Sequence, residues 1–132
     1  MKGLTAKITK GLTTGSYLVC NDNSGAKELF VIGTLGTKGV RSRNPSIGIG
    51  DIIIASVKKG NPEMIKKVVR ALIVRQRKEF KRVSGIRVMF EDNAAVLITE
   101  DGLPVGTEIK GVVAREVAER YPKVAAIAGG VI

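Results

Sequence analysis

The sequence predicts a mainly all-β protein, most simply a small barrel, followed by two short C-terminal helices. Two observations predict this fold class. The apolar residues fall in short runs rich in Val and Ile, and clusters of Gly, Pro, Asn and Asp separate these runs. Strands at this spacing, with no long helical period between them, are typical of an antiparallel barrel or a sandwich. We favour the barrel because a closed sheet leaves no strand edge exposed to other chains.

Six apolar runs are predicted to form strands, and each is bounded by turn-forming residues. These runs are Tyr17–Cys20, Lys27–Gly33, Asp51–Lys59, Val68–Gln76, Ile86–Phe90 and Ala94–Ile98. From Gly111 to Tyr121 apolar side chains recur at every fourth residue, which predicts a short amphipathic helix. Pro122 opens a second predicted short helix, which Gly129–Gly130 would end.

The most basic stretch of the chain, Val74–Gly85, is predicted to form one arm of a long hairpin that closes at Ser84–Gly85. It carries five Lys or Arg residues against one acid, Glu79. Five cations are more than an edge strand needs to avoid aggregation. The sequence therefore predicts that an external anion compensates this segment.

Because side chains alternate between the two faces of a strand, the sequence predicts which residues of each hairpin arm share a face. On the outgoing arm, Arg75 and Arg77 would share one face. On the returning arm, Ile86, Val88 and Phe90 would face the core.

The length and charge of the chain limit the number of its domains and the class of protein to which it can belong. Its 132 residues suffice for one domain, with the barrel predicted over about residues 1–105 and the helical region over about residues 106–132. It has 22 Lys and Arg residues against 12 Asp and Glu residues, giving a net charge of +10. A domain this basic has the electrostatic footprint of a nucleic-acid binder.

The charge is distributed unevenly along the chain. Residues 58–87 hold eleven Lys or Arg and two acids, and residues 1–43 hold seven and two. Residues 88–132 hold four basic residues and seven acids. One part of the molecule is therefore predicted to face a polyanion, while the C-terminal third is not.

Catalytic, metal and cofactor sites find little support in the sequence. The chain has no His, which excludes a Ser-His or Cys-His pair and any imidazole metal ligand. The acidic pairs Glu91–Asp92 and Glu100–Asp101 are interpreted as solvated turn formers. The single Cys20 lies in an apolar run and is interpreted as a buried, unreactive thiol. We expect no catalysis, no cofactor and no metal.

Three functions remain open, and a non-catalytic RNA-binding protein is favoured. The cations lie on predicted strands and loops, and no recognition helix carries them as in many duplex DNA binders. Aromatic residues make up only 4% of the chain and do not cluster in sequence with the basic positions. This argues against base stacking and for recognition of folded RNA by shape and phosphate. The alternatives are a peripheral protein of anionic membranes and an RNA-modifying enzyme.

No segment approaches the length of a membrane span, and the N-terminus lacks the apolar core of a signal peptide. The expectation is a soluble, cytoplasmic protein.

One long segment resembles the signature of a known family. It is "ALIVRQRKEFKRVSGIRVMFEDNAAVLI", in which a small residue and three aliphatics (Ala71–Val74) precede a basic spacer (Arg75–Val83) and Ser84–Gly85. Phe90, Asn93 and Val96–Leu97 complete the pattern. The segments "CNDNSGAKE", "GIGD", "VKKG" and "GTEIKGVVAREV" are also similar, in order, over nearly the whole chain. The family is that of the universal large-subunit ribosomal protein fourteen. Two segments, "VKKGNPEM" and "AREVAERYPKVAAIA", resemble its archaeal branch.

The resemblance implies a five-stranded β-barrel with a projecting β-hairpin, and a structural role in the large ribosomal subunit. It implies binding to large-subunit ribosomal RNA at the face that meets small-subunit RNA. It also implies large-subunit protein three as a neighbour, and a C-terminal surface similar to the one that receives initiation factor six. That partner surface would comprise Arg115, Glu116, Glu119 and Arg120. The residues expected to contact RNA are Asn23, Ser24, Lys38, Arg41, Arg43, Lys58, Lys59, Arg75, Arg77, Lys78, Lys81 and Arg82.

Overall fold

Five strands close into a barrel, which confirms the predicted fold class. The computed structural model describes residues 3–36, 39 and 42–132. In chain order the elements are β1 (Leu12–Thr13), β2 (Tyr17–Cys20), β3 (Ala26–Thr34), β4 (Ser46–Ile47), β5 (Ile52–Gly60), β6 (Val68–Arg75), β7 (Phe80–Lys81), β8 (Arg87–Val88), β9 (Ala94–Leu97), β10 (Ile109–Val113), α1 (Arg115–Arg120), α2 (Pro122–Ala126) and β11 (Ala128–Val131). The barrel order is β2-β3-β5-β6-β9, and β9 closes it by pairing parallel with β2.

Alternation along the barrel strands fills the interior with apolar side chains. In β5, Ile53, Ala55 and Val57 are fully buried, while the residues between them are partly exposed. By contrast, the second half of β6 and the whole of β9 are buried on both faces. The C-terminal region covers part of the outside of β6, where the N–H of Ala114 donates to the carbonyl oxygen of Val74 at 3.2 Å.

The predicted basic hairpin is present as a short ribbon formed by β7 and β8. Its turn is closed by hydrogen bonds from the N–H of Arg82 to the carbonyl of Ile86 at 2.9 Å and from the N–H of Gly85 to the carbonyl of Arg82 at 2.8 Å. Phe90 is buried as predicted, but Ile86 is 65% exposed, so its predicted core position is wrong. Ile86 belongs to the turn, where strand alternation no longer applies.

The end of β6 also departs from simple alternation. Arg75 and Gln76 are both buried, whereas Arg77 is exposed, so Arg75 and Arg77 do not share a solvent face. The pairing of β6 with β9 shifts register between Ile73 and Arg75. A bulge of this kind rotates the following side chains away from the regular pattern.

The C-terminal region contains the two short helices predicted, within a small α/β unit that also has two strands. β10 and β11 pair in parallel, and the two short helices connect them. The predicted helix from Gly111 was wrong in its first turn, because Gly111–Val113 belong to β10. Gly129 was expected to end a helix but lies in β11, where an added Cβ would be only 2.8 Å from the carbonyl oxygen of Gly111. In the part of the chain described, no helix has the length and apolar character needed to cross a membrane.

Gly60 provides a test of the barrel's close packing at the end of β5. Its φ is 151°, and an added Cβ would lie 2.4 Å from the carbonyl oxygen of Gly25. Gly60→Ala should therefore lower the free energy of unfolding by at least about 2 kcal/mol, measured by chemical denaturation. Gly33→Ala, in β3, is the matched control, because nothing lies within 4 Å of its added Cβ. Equal stability of the two variants would contradict this packing.

Candidate nucleic-acid interface

Arg75, one of the predicted RNA contacts, is bound inside the protein. It is 8% exposed. Its Nε and Nη2 donate to the two carboxylate oxygens of Asp92 at 2.9 and 3.0 Å, and its Nη1 donates to the carbonyl of Val112 at 3.0 Å. A bidentate pair is a strong contact with a defined orientation. The guanidinium therefore ties the end of β6 to the C-terminal region, and the interpretation of Arg75 as an outward-facing cation is wrong.

Arg82 is compensated in a similar way by a carboxylate of α1. Its Nε donates to Oε1 of Glu116 at 3.0 Å, and its Nη2 donates to Oε2 at 3.3 Å. The same Nη2 donates to the carbonyl of Ile132 at 2.7 Å. Glu116 is 1% exposed, so its predicted place on an exposed partner surface is wrong. From the turn of the ribbon, the Arg82 side chain reaches the buried Glu116 carboxylate.

Two more residues of the predicted partner surface contact the protein itself. Glu119 accepts hydrogen bonds from the N–H of Thr5 at 3.2 Å and from its hydroxyl at 2.7 Å. Arg120 donates from Nη1 to the carbonyl of Gly50 at 3.2 Å. Arg115 is exposed. Helix α1 therefore fixes the N-terminal segment, and Arg115 is the member of the predicted set that lies fully at the surface.

The loop after β2 holds Asn23 and Ser24, and internal hydrogen bonds occupy both side chains. Asn23 accepts from the N–H of Thr107 at 2.9 Å and donates to its hydroxyl at 2.8 Å. Ser24 donates its hydroxyl to Asp22 at 2.5 Å. Asp22 is buried, and its other oxygen accepts from the N–H of Leu97 at 3.0 Å. These contacts fix the loop against β9 and the segment before β10.

Cys20 is buried, as the sequence predicts, and its Sγ donates to Asp22 at 3.2 Å. Burial and, secondarily, the nearby Asp22 carboxylate raise the pKa of the Cys20 thiol to about 12. The thiol is therefore expected to stay protonated at neutral pH, which agrees with its interpretation as unreactive.

Three cations from separate segments meet on one face of the ribbon. Lys7 forms an antiparallel bridge with Lys81 of β7, and Lys81 pairs in register with Arg87 of β8. Directly opposed residues of antiparallel strands place their side chains on the same face, and like charges there are destabilising. We call Lys7, Lys81 and Arg87 the cation row.

The cation row borders an open groove of about 750 Å³. The groove is lined by Thr5, Ala6, Lys7, Ile8, Thr9, Lys81, Arg82, Val83 and Arg87. Glu79 lies 3.4 Å from Arg87, but both side chains are well exposed and such pairs are weak. Lys7 and Lys81 form no ion pair with any residue the structure describes. Their charge is left for an external anion.

The other predicted RNA contacts fall into two groups. The exposed ones are Arg43, Lys58, Lys59, Arg77 and Lys78. Of these, Lys59 lies 3.6 Å from the carboxylate of Glu28 in an exposed pair. Lys38 and Arg41 lie outside the described residues.

Sequence reasoning missed several residues that organise this surface. Asp92 was interpreted as a solvated turn former, and nothing in the local sequence links it to Arg75. Gln76 is fully buried, and its amide donates to the carbonyls of Thr9 at 2.7 Å and Lys78 at 2.9 Å. It therefore holds the N-terminal segment beside the ribbon. The only available signal was an uncharged polar residue directly after the apolar run Ala71–Val74 and Arg75.

The barrel and the cation row define a class: a small basic β-barrel protein suited to bind the backbone phosphates of nucleic acid. Among the described residues, no cluster of acidic or cysteine side chains could hold a metal ion.

Comparison with known proteins shows the family. Residues 11–132 match the family described as Ribosomal protein L14p/L23e, and the chain belongs to this family. It is 55% identical over 128 residues, 97% of each chain, to the large ribosomal subunit protein uL14 of Methanocorpusculum labreanum. The uL14 of Methanothrix thermoacetophila is 53% identical over 132 residues, 100% of each chain. That of Methanococcus vannielii is 54% identical over 128 residues, 97% of each chain. The resemblance is confirmed, and the membrane alternative gains no support from these relatives.

Substitutions of the neighbouring residues Arg82 and Lys81 should distinguish a cation that stabilises the fold from one that is free to contact RNA. Arg82→Met removes the partner of a buried carboxylate and should lower the free energy of unfolding by about 3 kcal/mol. Lys81→Met removes an exposed cation and should change it by no more than about 0.5 kcal/mol. Chemical denaturation of both variants measures the difference. Equal losses of stability would show that the Arg82–Glu116 pair does not hold the ribbon.

Proposed function

We propose that the protein is a non-catalytic structural constituent of the large ribosomal subunit that binds large-subunit ribosomal RNA. Membership of the L14p/L23e family supports the ribosomal role. The observation that carries the RNA-binding role is the cation row, in which strand pairing opposes Lys81 to a cation on either side. The free chain keeps this arrangement although it is locally repulsive, and a bound phosphate backbone would remove the repulsion.

The geometry of the cations favours RNA read by shape. The cation row lies on a two-stranded ribbon and the strand-like segment beside it, next to an open groove. Such a surface follows a phosphate backbone and does not insert a helix into a major groove. Lys78 and Arg77 lie at the base of the same ribbon and are exposed. We propose that they extend the phosphate-contacting surface towards the barrel.

The proposed partners follow from the family resemblance. They are large-subunit ribosomal RNA, small-subunit ribosomal RNA at a bridge between the subunits, large-subunit protein three, and initiation factor six at the C-terminal region. The exposed Arg115 is the proposed factor contact on α1. The protein would work in the cytoplasm as part of the ribosome.

Neutralising the cation row should weaken RNA binding in a salt-dependent way. The variant Lys7→Gln with Lys81→Gln should lose affinity for transcribed fragments of large-subunit ribosomal RNA. The slope of log affinity against log salt should become shallower by about 0.7 to 0.9 for each lost phosphate contact. Filter binding or fluorescence anisotropy over a salt series measures both quantities.

Lys110→Gln with Lys123→Gln is the matched control, because both lysines are exposed and belong to the C-terminal region. This control should keep the salt slope of the original chain. If both double variants lose affinity equally, binding depends on net charge alone and the assigned surface is wrong. Flotation of the chain with anionic vesicles despite excess RNA would instead revive the membrane alternative.

A further inference from the structure

The outer face of the barrel carries an aromatic pair that the cation row does not involve. Tyr17 in β2 and Phe30 in β3 are partners in register. Their ring centroids are 5.1 Å apart, and the ring planes meet at 64° in an edge-to-face contact. Tyr17 is 58% exposed, so this contact holds its ring in place without covering it.

A cation completes this cluster. The ammonium of Lys58 lies 5.2 Å from the centroid of the Phe30 ring. Lys58 belongs to the exposed end of the β5–β6 hairpin, which also carries Lys59, Lys66 and Lys67. Of these four lysines, only Lys59 has an ion pair within the described part of the chain. Through Lys58 the aromatic pair adjoins a hairpin end that carries four lysines and one acid, Glu63.

We infer that Tyr17 is a stacking platform for an unpaired base of RNA, with the adjoining phosphates against the lysines of the β5–β6 hairpin. An exposed aromatic ring beside a positive surface is the arrangement by which proteins bind single strands without reading sequence. The Phe30 ring holds Tyr17 at a fixed angle, so little side-chain freedom is lost on stacking. This inference rests on the proposed RNA-binding function and adds a second contact of different chemistry.

The cluster of Tyr17, Phe30 and Lys58 revises the expectation, drawn from the sequence, that base stacking plays no part in RNA binding. Tyr17, Phe30 and Lys58 are far apart in the chain, and the sequence therefore showed no aromatic cluster among the basic positions. Strand pairing brings all three to one face, since Phe30 is opposite Tyr17 on one side and Ser56 on the other. Lys58 is the unpaired residue of a β-bulge two residues beyond Ser56, and its ammonium reaches the Phe30 ring on that face.

The surroundings favour RNA over a protein at this face. Val19 and Val68 are also exposed here, by 46% and 65%, and on their own would suit a protein partner. Lysine, however, is depleted in the cores of protein–protein interfaces. Lys58 at the Phe30 ring and the three other exposed lysines of the same hairpin complement phosphate, whereas a protein partner would have to supply several carboxylates.

The test uses the full chain with two RNA probes, a twelve-nucleotide oligoadenylate and a duplex with a similar number of phosphates. Tyr17→Ala should reduce affinity for the oligoadenylate about tenfold and leave duplex affinity unchanged. Tyr17→Phe should retain the affinity because the ring remains. Val68→Ala, on the same face, is the control for lost apolar surface and should have no effect.

Tyrosine fluorescence gives an independent readout, because the chain has no Trp and only two Tyr. Oligoadenylate should quench part of the emission in the original chain, and Tyr17→Phe should abolish that quenching.

The outcomes distinguish this inference from the proposed function. If Tyr17→Ala binds oligoadenylate as tightly as the original chain while both RNAs still bind, only the stacking site is wrong. If neither RNA binds at about 0.1 M salt, the proposed function itself fails. If Tyr17→Ala keeps its oligoadenylate affinity but is lost from purified large subunits, a protein covers this face and the inference is overturned.

Discussion

Two arginine–carboxylate pairs determine which positive charges of this protein are available to a partner. Arg75 binds Asp92 and Arg82 binds Glu116, so the basic hairpin segment is fixed to the acidic C-terminal third. Removing two charges from solution in this way leaves Lys81 and Arg87 as the exposed cations of the β7–β8 ribbon. Because Arg presents a planar fork that matches a carboxylate, it suits buried pairs better than Lys does. Both buried ion pairs of the basic hairpin segment accordingly use Arg.

The same pairs give the C-terminal region a structural role. Its two parallel strands and short helices do not form a core of their own. They cover the outside of the barrel, and Arg82 reaches the chain end through the carbonyl of Ile132. Glu119 and Arg120 then connect α1 to the N-terminal segment and to the turn before β5. The N-terminal segment is thereby fixed with Lys7 beside Lys81, and the cation row exists because of these contacts.

The sequence predicted the barrel well because its strands are local patterns. Tyr17–Cys20 was predicted with the observed bounds, and the other barrel strands differ by at most one residue at each end. β10 was missed since Gly111–Val113 pair with β11, a contact that a helical spacing of apolar residues cannot reveal. Arg75 and Arg82 were assigned to RNA because their carboxylate partners are 17 and 34 residues away in the chain. Contacts between distant segments decide the site, and residue patterns within one segment do not encode them.

The central claim is that Lys7 and Lys81, the two lysines of the cation row, face RNA in the assembled subunit. Quantitative lysine acetylation, measured by mass spectrometry, can compare the free chain with native large subunits purified from cells. The account predicts that Lys7 and Lys81, exposed in the free protein, react several-fold more slowly in the subunit. Equal reaction rates for these two lysines in both states would contradict it.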